Sequence, residues 1–213
     1  MMRALIAAVL LVFATAHAGA ATTPANAGEW KFRVLLDGKD IGEHRFLLRT
    51  DGTERELRSE ARFDVRILMF NAYRYVHEAT ERWNGNCLVS LASNTDSNGD
   101  LESVRATTAG GRMSVERTGR REEHDGCVMT FAYWNPEILT ARRLLNSQSG
   151  ELVPVTITDA GAETLTVRRR PVTANRHRIQ GPDLRIDIWY AGEQWIALEA
   201  PAKGGRRLRY ELI

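Results

Sequence analysis

The chain contains 213 residues, of which 43% are hydrophobic and 26% are charged, and its formal net charge at pH 7 is +2. These proportions are typical of a folded globular protein, and they exclude a disordered chain and a collagen-like chain. Lysine and arginine number 29 against 27 aspartate and glutamate residues, so the charge balance indicates no nucleic-acid partner. Length and composition therefore favour a protein with one sizeable core.

The N-terminus has the three parts of a secretory signal peptide. Met1-Met2-Arg3 carries a positive charge, and residues 4–15 form an apolar run. Ala16-His17-Ala18 and Ala18-Gly19-Ala20 both have the small residues that a cleavage site requires. The apolar run is short for a membrane span, which needs about 20 apolar residues. We therefore predict a cleaved signal rather than an anchor.

This signal defines the expected organisation of the chain. We predict a signal peptide over residues 1–20, a flexible leader over 21–27 and a single β domain over 28–213. The mature protein is then expected in the periplasm, or secreted, with no integral membrane span after the signal is removed.

Export determines how the two cysteines are interpreted. Cys87 and Cys127 are the only cysteines in the chain, and an oxidising compartment favours a disulfide between such a pair. Their wide separation matches neither a Cys-x-x-Cys redox motif nor the spacing of zinc ligands. We predict a structural disulfide, worth roughly 4 kcal/mol in the chain-entropy description.

Alternation of apolar and polar residues dominates the chain after residue 28. Between Leu57 and Met69 the charged residues occupy even positions and the apolar residues odd ones, as on a strand with one polar face. Turn signals such as Asp37-Gly38 and Asn84-Gly85 recur about every eight to twelve residues. The pattern predicts an all-β fold, mainly antiparallel, built as a meander.

One segment interrupts the strand pattern. Asn135 suits a helix N-cap, Pro136 suits the first helical position, and Glu137 complements the positive end of a helix. An amphipathic stretch follows up to Leu145. We predict one short helix of about two or three turns, packed across the sheet with Ile138, Leu139 and Leu145 inward.

Catalytic and metal-binding motifs are missing from the sequence. The histidines of the predicted mature chain are isolated, and neither His-x-His nor His-Glu-x-x-His occurs. A Gly-x-Ser-x-Gly elbow is also absent. We therefore expect neither an enzyme nor a bound cofactor or metal, although separate Asp, Glu and His residues can converge in a folded chain.

Aromatic residues are the chemical resource that the sequence does offer. If the sheet curves around them, they line an apolar concavity of the kind that holds a lipid or another apolar small molecule. His77 shares a strand face with two tyrosines and either donates a hydrogen bond in such a pocket or packs between strands. The candidate ligand-binding residues are Trp30, Phe32, Tyr73, Tyr75, His77, Trp83, Tyr133 and Trp134. The alternative is that these residues interlock in a closed core.

Three parts of the sequence carry a resemblance: the stretch Phe131-Ala132-Tyr133-Trp134-Asn135-Pro136, the unit from Trp30 to Gly42, and the closing hairpins from Leu184 to Leu212. They resemble an uncharacterised family of bacterial exported, periplasmic proteins with a domain of unknown function. The resemblance extends over nearly all of the predicted mature chain. It implies a curved, many-stranded antiparallel sheet, similar to the half-barrels of periplasmic lipoprotein carriers. It implies no catalytic residue.

The function predicted from these observations is the binding or carrying of a lipid or another apolar ligand in the periplasm. A small outer-membrane β-barrel is an alternative, because alternating faces are also its signature. A cysteine pair is uncommon in such barrels. The remaining alternative is an enzyme whose site is not visible in the sequence.

Overall fold

The structure, a computed structural model, describes residues 26–67 and 70–213, and most of these residues lie in antiparallel β-strands. The predicted signal peptide, residues 1–20, and most of the predicted leader lie outside the described residues. The first strand begins at Asn26. Within the described residues, no helix has the length and apolar character needed to cross a membrane.

Eight strands follow one another in the first part of the chain and seven in the second. The first eight are β1 (Asn26–Leu36), β2 (Lys39–Asp51), β3 (Glu54–Ile67), β4 (Phe70–Asn84), β5 (Cys87–Ser97), β6 (Asp100–Ala109), β7 (Arg112–Arg117) and β8 (Arg120–Asp125). The others are β9 (Arg143–Leu145), β10 (Leu152–Pro154), β11 (Thr156–Val167), β12 (Arg170–Gln180), β13 (Arg185–Ala191), β14 (Gln194–Ala202) and β15 (Arg206–Leu212). Short 3₁₀ turns cover Pro136–Thr140 and Lys203–Gly205.

Among the described residues, thirteen strands form one sheet with the order β11-β12-β13-β14-β15-β1-β2-β3-β4-β5-β6-β7-β8. Strand β1 lies in the middle of this sheet, and from there the chain runs to the β8 edge. It then crosses to the opposite edge and returns until β15 pairs with β1, with Phe32 opposite Leu212. We call the crossing segment, residues 126–155, the strap; it contains β9 and β10, which pair with each other. The all-β prediction is confirmed.

The sheet is strongly curved. Strands β3 and β15 are three places apart, which would separate them by about 14 Å in a flat sheet. The rings of Phe63 on β3 and Tyr210 on β15 nevertheless have centroids only 6.3 Å apart. Curvature therefore brings together side chains from strands that are not neighbours, and it creates the predicted concave face.

The strap packs into this concavity and completes the core. Trp134, Ile138, Leu144 and Leu145 of the strap are all buried. They belong to one core cluster with the buried aromatic side chains of the sheet, which include Phe32, Trp83 and Trp195. The Trp83 and Trp134 rings meet edge to face at 5.6 Å. The sheet and the strap thus form one hydrophobic core.

The predicted helix is wrong in its length. Asn135 does cap the segment, because its Oδ1 accepts a hydrogen bond from the Glu137 N–H at 3.2 Å. Only a 3₁₀ turn over Pro136–Thr140 forms, however, and the chain is already extended at Ala141. Residues 143–145 pair with β10 instead, because an extended chain between two packed layers can bury Leu144 and Leu145 in succession.

The predicted disulfide is confirmed. Cys87 and Cys127 are joined with an S–S distance of 2.05 Å and a Cα–Cα distance of 5.0 Å. Beside it, the Leu88 N–H donates to the Val128 carbonyl at 2.9 Å. The beginning of the strap is therefore attached to β5 by a covalent bond and by a backbone hydrogen bond.

One end of the curved sheet is covered by polar and aromatic side chains. The Arg55 guanidinium lies 4.8 Å from the centre of the Trp134 ring and donates to the Asn86 Oδ1. The Asn135 Nδ2 donates to the same Asn86 oxygen at 3.2 Å. The opposite end, bounded by the turns after β1, β5 and β14, contains the cavities described next.

Candidate ligand-binding cleft

A cleft with a volume of about 910 Å³ opens at this second end of the sheet, and we call it the outer cleft. Its apolar wall includes Leu36, Ile41, Phe63, Val65 and Leu208. These side chains point inward because they occupy alternate positions on strands whose other face is charged. Sites for small molecules are commonly 300–1,000 Å³ and mainly apolar, and the outer cleft matches both properties.

Polar residues surround the mouth of the outer cleft. Asn98 lies in the β5–β6 turn and Asp100 at the start of β6, and Lys203 lies in the β14–β15 turn and Arg206 at the start of β15. The Arg206 Nε is paired with Asp37 Oδ2 at 2.8 Å. The mouth therefore carries charges of both signs and is far more polar than the wall behind it.

A second, smaller cavity of about 200 Å³ lies against the strap, and we call it the inner cavity. Four residues line both the outer cleft and the inner cavity: His44, Tyr75, Gln148 and Tyr210. We call these four residues the collar. They come from β2, β4, the strap and β15, so only the curved sheet with the strap inside it brings them together.

Hydrogen bonds hold the collar in place. The Tyr75 hydroxyl donates to Gln148 Oε1 at 3.0 Å, and Gln148 Nε2 donates to Glu102 Oε2 at 2.9 Å. His44 Nδ1 lies 3.2 Å from the Tyr210 hydroxyl, and its Nε2 lies 2.8 Å from Ser59 Oγ. Each collar side chain therefore has a fixed partner and a defined orientation.

Aromatic stacking fixes the same side chains further. The Tyr75 ring stacks on Phe63 with centroids 5.3 Å apart, and the His44 ring stacks on Phe46 at 4.0 Å. Such contacts restrict side-chain rotation and favour a preformed site over one that a ligand must order.

The collar and the inner cavity carry no positive charge near neutral pH. Burial, and secondarily the neighbouring His77, lowers the pKa of His44 to about 3. Burial also lowers the pKa of His77 to about 4. Burial raises the pKa of Tyr75 and that of Tyr210 above the ordinary tyrosine value. These two histidines and two tyrosines are consequently neutral hydrogen-bonding groups at pH 7.

Glu81 is the acidic residue of the inner cavity. It is 5% exposed, and its Oε2 accepts hydrogen bonds from Trp83 Nε1 at 3.0 Å and from Thr130 Oγ1 at 3.2 Å. Burial raises its pKa to about 7, although these two hydrogen bonds act in the opposite direction. Glu81 links the sheet to the strap and exchanges a proton close to neutral pH.

The structure divides the predicted ligand-binding residues into two groups. Tyr73 and Tyr75 line the outer cleft, and Tyr75, His77, Tyr133 and Trp134 line the inner cavity. The other predicted residues, Trp30, Phe32 and Trp83, line neither of these cavities and pack in or against the hydrophobic core. The residues that line the cavities therefore stay candidates for ligand contact, which is still a prediction. The residues that line neither cavity match the alternative of a closed core.

Sequence reasoning missed several residues of the site. His44 lies two positions before the buried Phe46, and Glu81 lies four positions after His77. Residues with this spacing share a face of a strand, so the sequence could have placed both on the concave face. Gln148 lies in the polar run that follows Leu145, beyond the amphipathic stretch of the predicted helix. No local pattern identifies Gln148, because its position depends on the path of the strap.

The site contains one contact between residue types that serve in nucleophilic catalysis. His44 and Ser59 have the contact of a base and a nucleophile, yet a histidine with a pKa of about 3 is a weak base at neutral pH. Across residues 26–67 and 70–213, no group of three His, Cys, Asp or Glu side chains is arranged to hold a metal ion.

Comparisons with known proteins bear on the fold and the family. The chain is similar in structure to a β-barrel-like protein of the domain-of-unknown-function family DUF1849 from Brucella abortus, with a TM-score of 0.66 and 11% sequence identity. The similarity covers 91% of this chain and 98% of that protein. The comparison with curated proteins returns no match. Residues 32–213 match the family described as "domain of unknown function (DUF6134)", and the chain therefore belongs to that family.

Proposed function

We propose that this protein binds and carries an amphipathic or apolar molecule, such as a lipid, in the outer cleft. The observation that carries the proposal is the cleft itself, a volume of about 910 Å³ with an apolar wall at one end of a curved sheet. The strap fills the other part of the concavity and does not cover this wall. Sites for small molecules are commonly concave and mainly apolar, and this cleft has both properties.

The proposed location is the periplasm, or the exterior of the cell. Two features support it: the signal-peptide pattern in the first 20 residues and the Cys87–Cys127 disulfide, which is stable in an oxidising compartment. An exported carrier with a protected apolar cleft would move a poorly soluble molecule through water. We favour binding over catalysis as the role, because burial lowers the pKa of His44 and so weakens the base in the His44–Ser59 pair.

Native mass spectrometry of protein purified without detergent tests this function. We expect a population whose mass exceeds that of the polypeptide by the mass of one lipid or other amphiphile, released by organic extraction. A spectrum that contains the bare polypeptide alone, together with the absence of binding when lipids are added back, would contradict a carrier role.

A further inference from the structure

The inner cavity differs in chemistry from the outer cleft to which it is joined. It has a volume of about 200 Å³, and the hydrogen-bonding side chains that line it include Ser59, His77, Glu81 and Asn146. The outer cleft, in contrast, has a largely apolar wall. A ligand that occupied both spaces would need one polar end and one apolar end.

One buried group of the inner-cavity lining is without a hydrogen-bond partner among the described residues. The indole N–H of Trp134 has no acceptor, although the side chain is only 5% exposed. His77 is also 5% exposed, and its Nδ1 lies 2.8 Å from Thr95 Oγ1. Because an indole nitrogen can only donate, Trp134 calls for a hydroxyl or carbonyl oxygen.

The charge of the surroundings restricts what that polar end can be. An anionic end would have to pass the neutral collar and lie near Glu81, with no cation beside it in the inner cavity. A cationic end could approach Glu81, but burial raises the pKa of this carboxyl to about 7, so a cation would often face a neutral group at pH 7. Burying an unpaired charge costs far more than burying a hydrogen-bonded neutral group.

We propose that the inner cavity binds the uncharged, oxygen-bearing end of an amphiphile, such as a glycerol ester or a sugar, while the apolar part lies in the outer cleft. This proposal rests on the proposed function and adds the class of ligand and its orientation. The ligand enters with its polar end first, and its apolar chain points towards the mouth. The collar selects against charged ends.

A set of amphiphiles with the same twelve-carbon chain tests the class of ligand. Monolauroylglycerol and dodecyl glucoside are neutral, laurate is anionic and dodecyltrimethylammonium is cationic. Each is titrated below its micellar concentration against the full chain by isothermal calorimetry. We expect at least one neutral amphiphile to bind about tenfold or more tightly than either charged one.

The possible outcomes separate the two proposals. If a charged amphiphile binds as tightly as both neutral ones, the neutral-end proposal is wrong, whereas the carrier function stands. If none of the four binds, the carrier function fails and the proposal fails with it. The better of the two neutral probes distinguishes a glycerol ester from a sugar.

Matched tyrosine variants test the orientation. Tyr75→Phe removes a hydroxyl from the collar, and Tyr73→Phe removes one that lies 2.7 Å from Ser97 Oγ near the mouth. We expect Tyr75→Phe to weaken binding of the neutral probe about fivefold or more and Tyr73→Phe, whose ring still lines the outer cleft, to weaken it by less than about twofold, with both melting temperatures close to that of the parent. Equal effects of the two variants would contradict the orientation. Gln148→Met makes the same test if Tyr75→Phe folds poorly.

Discussion

At the scale of single residues, Gly42 and Glu81 show how position decides the role of a side chain. Gly42 has a φ of +139°, and a Cβ placed there would lie 2.0 Å from the Arg62 carbonyl oxygen. Glycine is therefore required where β2 approaches β3 this closely, immediately after Ile41 of the cleft wall. Glu81 shows the opposite case, a polar side chain buried where apolar residues would pack well.

The pH dependence of stability is expected to report on Glu81. Its pKa is raised from 4.5 to about 7 in the folded protein, so folding favours the protonated form. The stability that this preference contributes is complete below about pH 4.5 and is lost as the pH rises to about 7. Replacing Glu81 by Gln, which stays neutral, should stabilise the protein increasingly over that range, to a limit of about 3 kcal/mol.

Urea unfolding of the parent and of Glu81→Gln at several pH values between 5 and 8 measures this effect. Glu60→Gln on the exposed face of β3 is the matched control, and we expect its stability relative to the parent to change little with pH. A Glu81→Gln effect that is constant across the range would show that the Glu81 carboxyl titrates at its ordinary pKa.

At the scale of secondary-structure elements, the strands were predictable and the strap was not. Alternation and turn residues are local signals, so they located the hairpins and placed Tyr73, Tyr75 and His77 on one face. The conformation of residues 143–145 depends instead on partners distant in the chain, such as β10 and Thr130. Propensity favoured a helix there, and tertiary packing overrode it.

The candidate site was predictable only in part for the same reason. The sequence identified the tyrosines of β4, because residues two positions apart on a strand share one face. His44, Gln148 and Tyr210 come from three other segments and meet through sheet curvature and the path of the strap. Neither feature has a short-range signature, so the collar could not be deduced from the sequence.

Burial of the strap can be tested with an aspartate substitution. Leu145 is fully buried, so Leu145→Asp should destabilise the protein by about 3 kcal/mol or more, as expected for an unpaired buried charge. Leu101→Asp is the control, since Leu101 is 77% exposed and should change the free energy of unfolding by less than about 0.5 kcal/mol. Equal, small effects in urea unfolding would mean that the strap does not pack against the sheet.

At the scale of the whole molecule, one sheet produces both a core and a cleft. The pairing of β15 with β1 joins the two halves of the chain, and curvature then encloses a space too large for the sheet's own side chains to fill. The strap, attached through the Cys87–Cys127 disulfide, fills one end of that space. The described residues leave the other end open, and the outer cleft lies there.

Binding of a fluorescent, uncharged monoacylglycerol probe to a variant with an obstructed cleft tests the central claim most directly. Ala202 lines the outer cleft, so Ala202→Trp should obstruct it, whereas Ala162→Trp places the same side chain at an exposed position of β11 outside the cleft lining. We expect saturable binding by the parent and by Ala162→Trp, and a loss of affinity of about tenfold or more in Ala202→Trp with unchanged unfolding behaviour. Undiminished binding by Ala202→Trp, or no binding by the parent, would contradict the account.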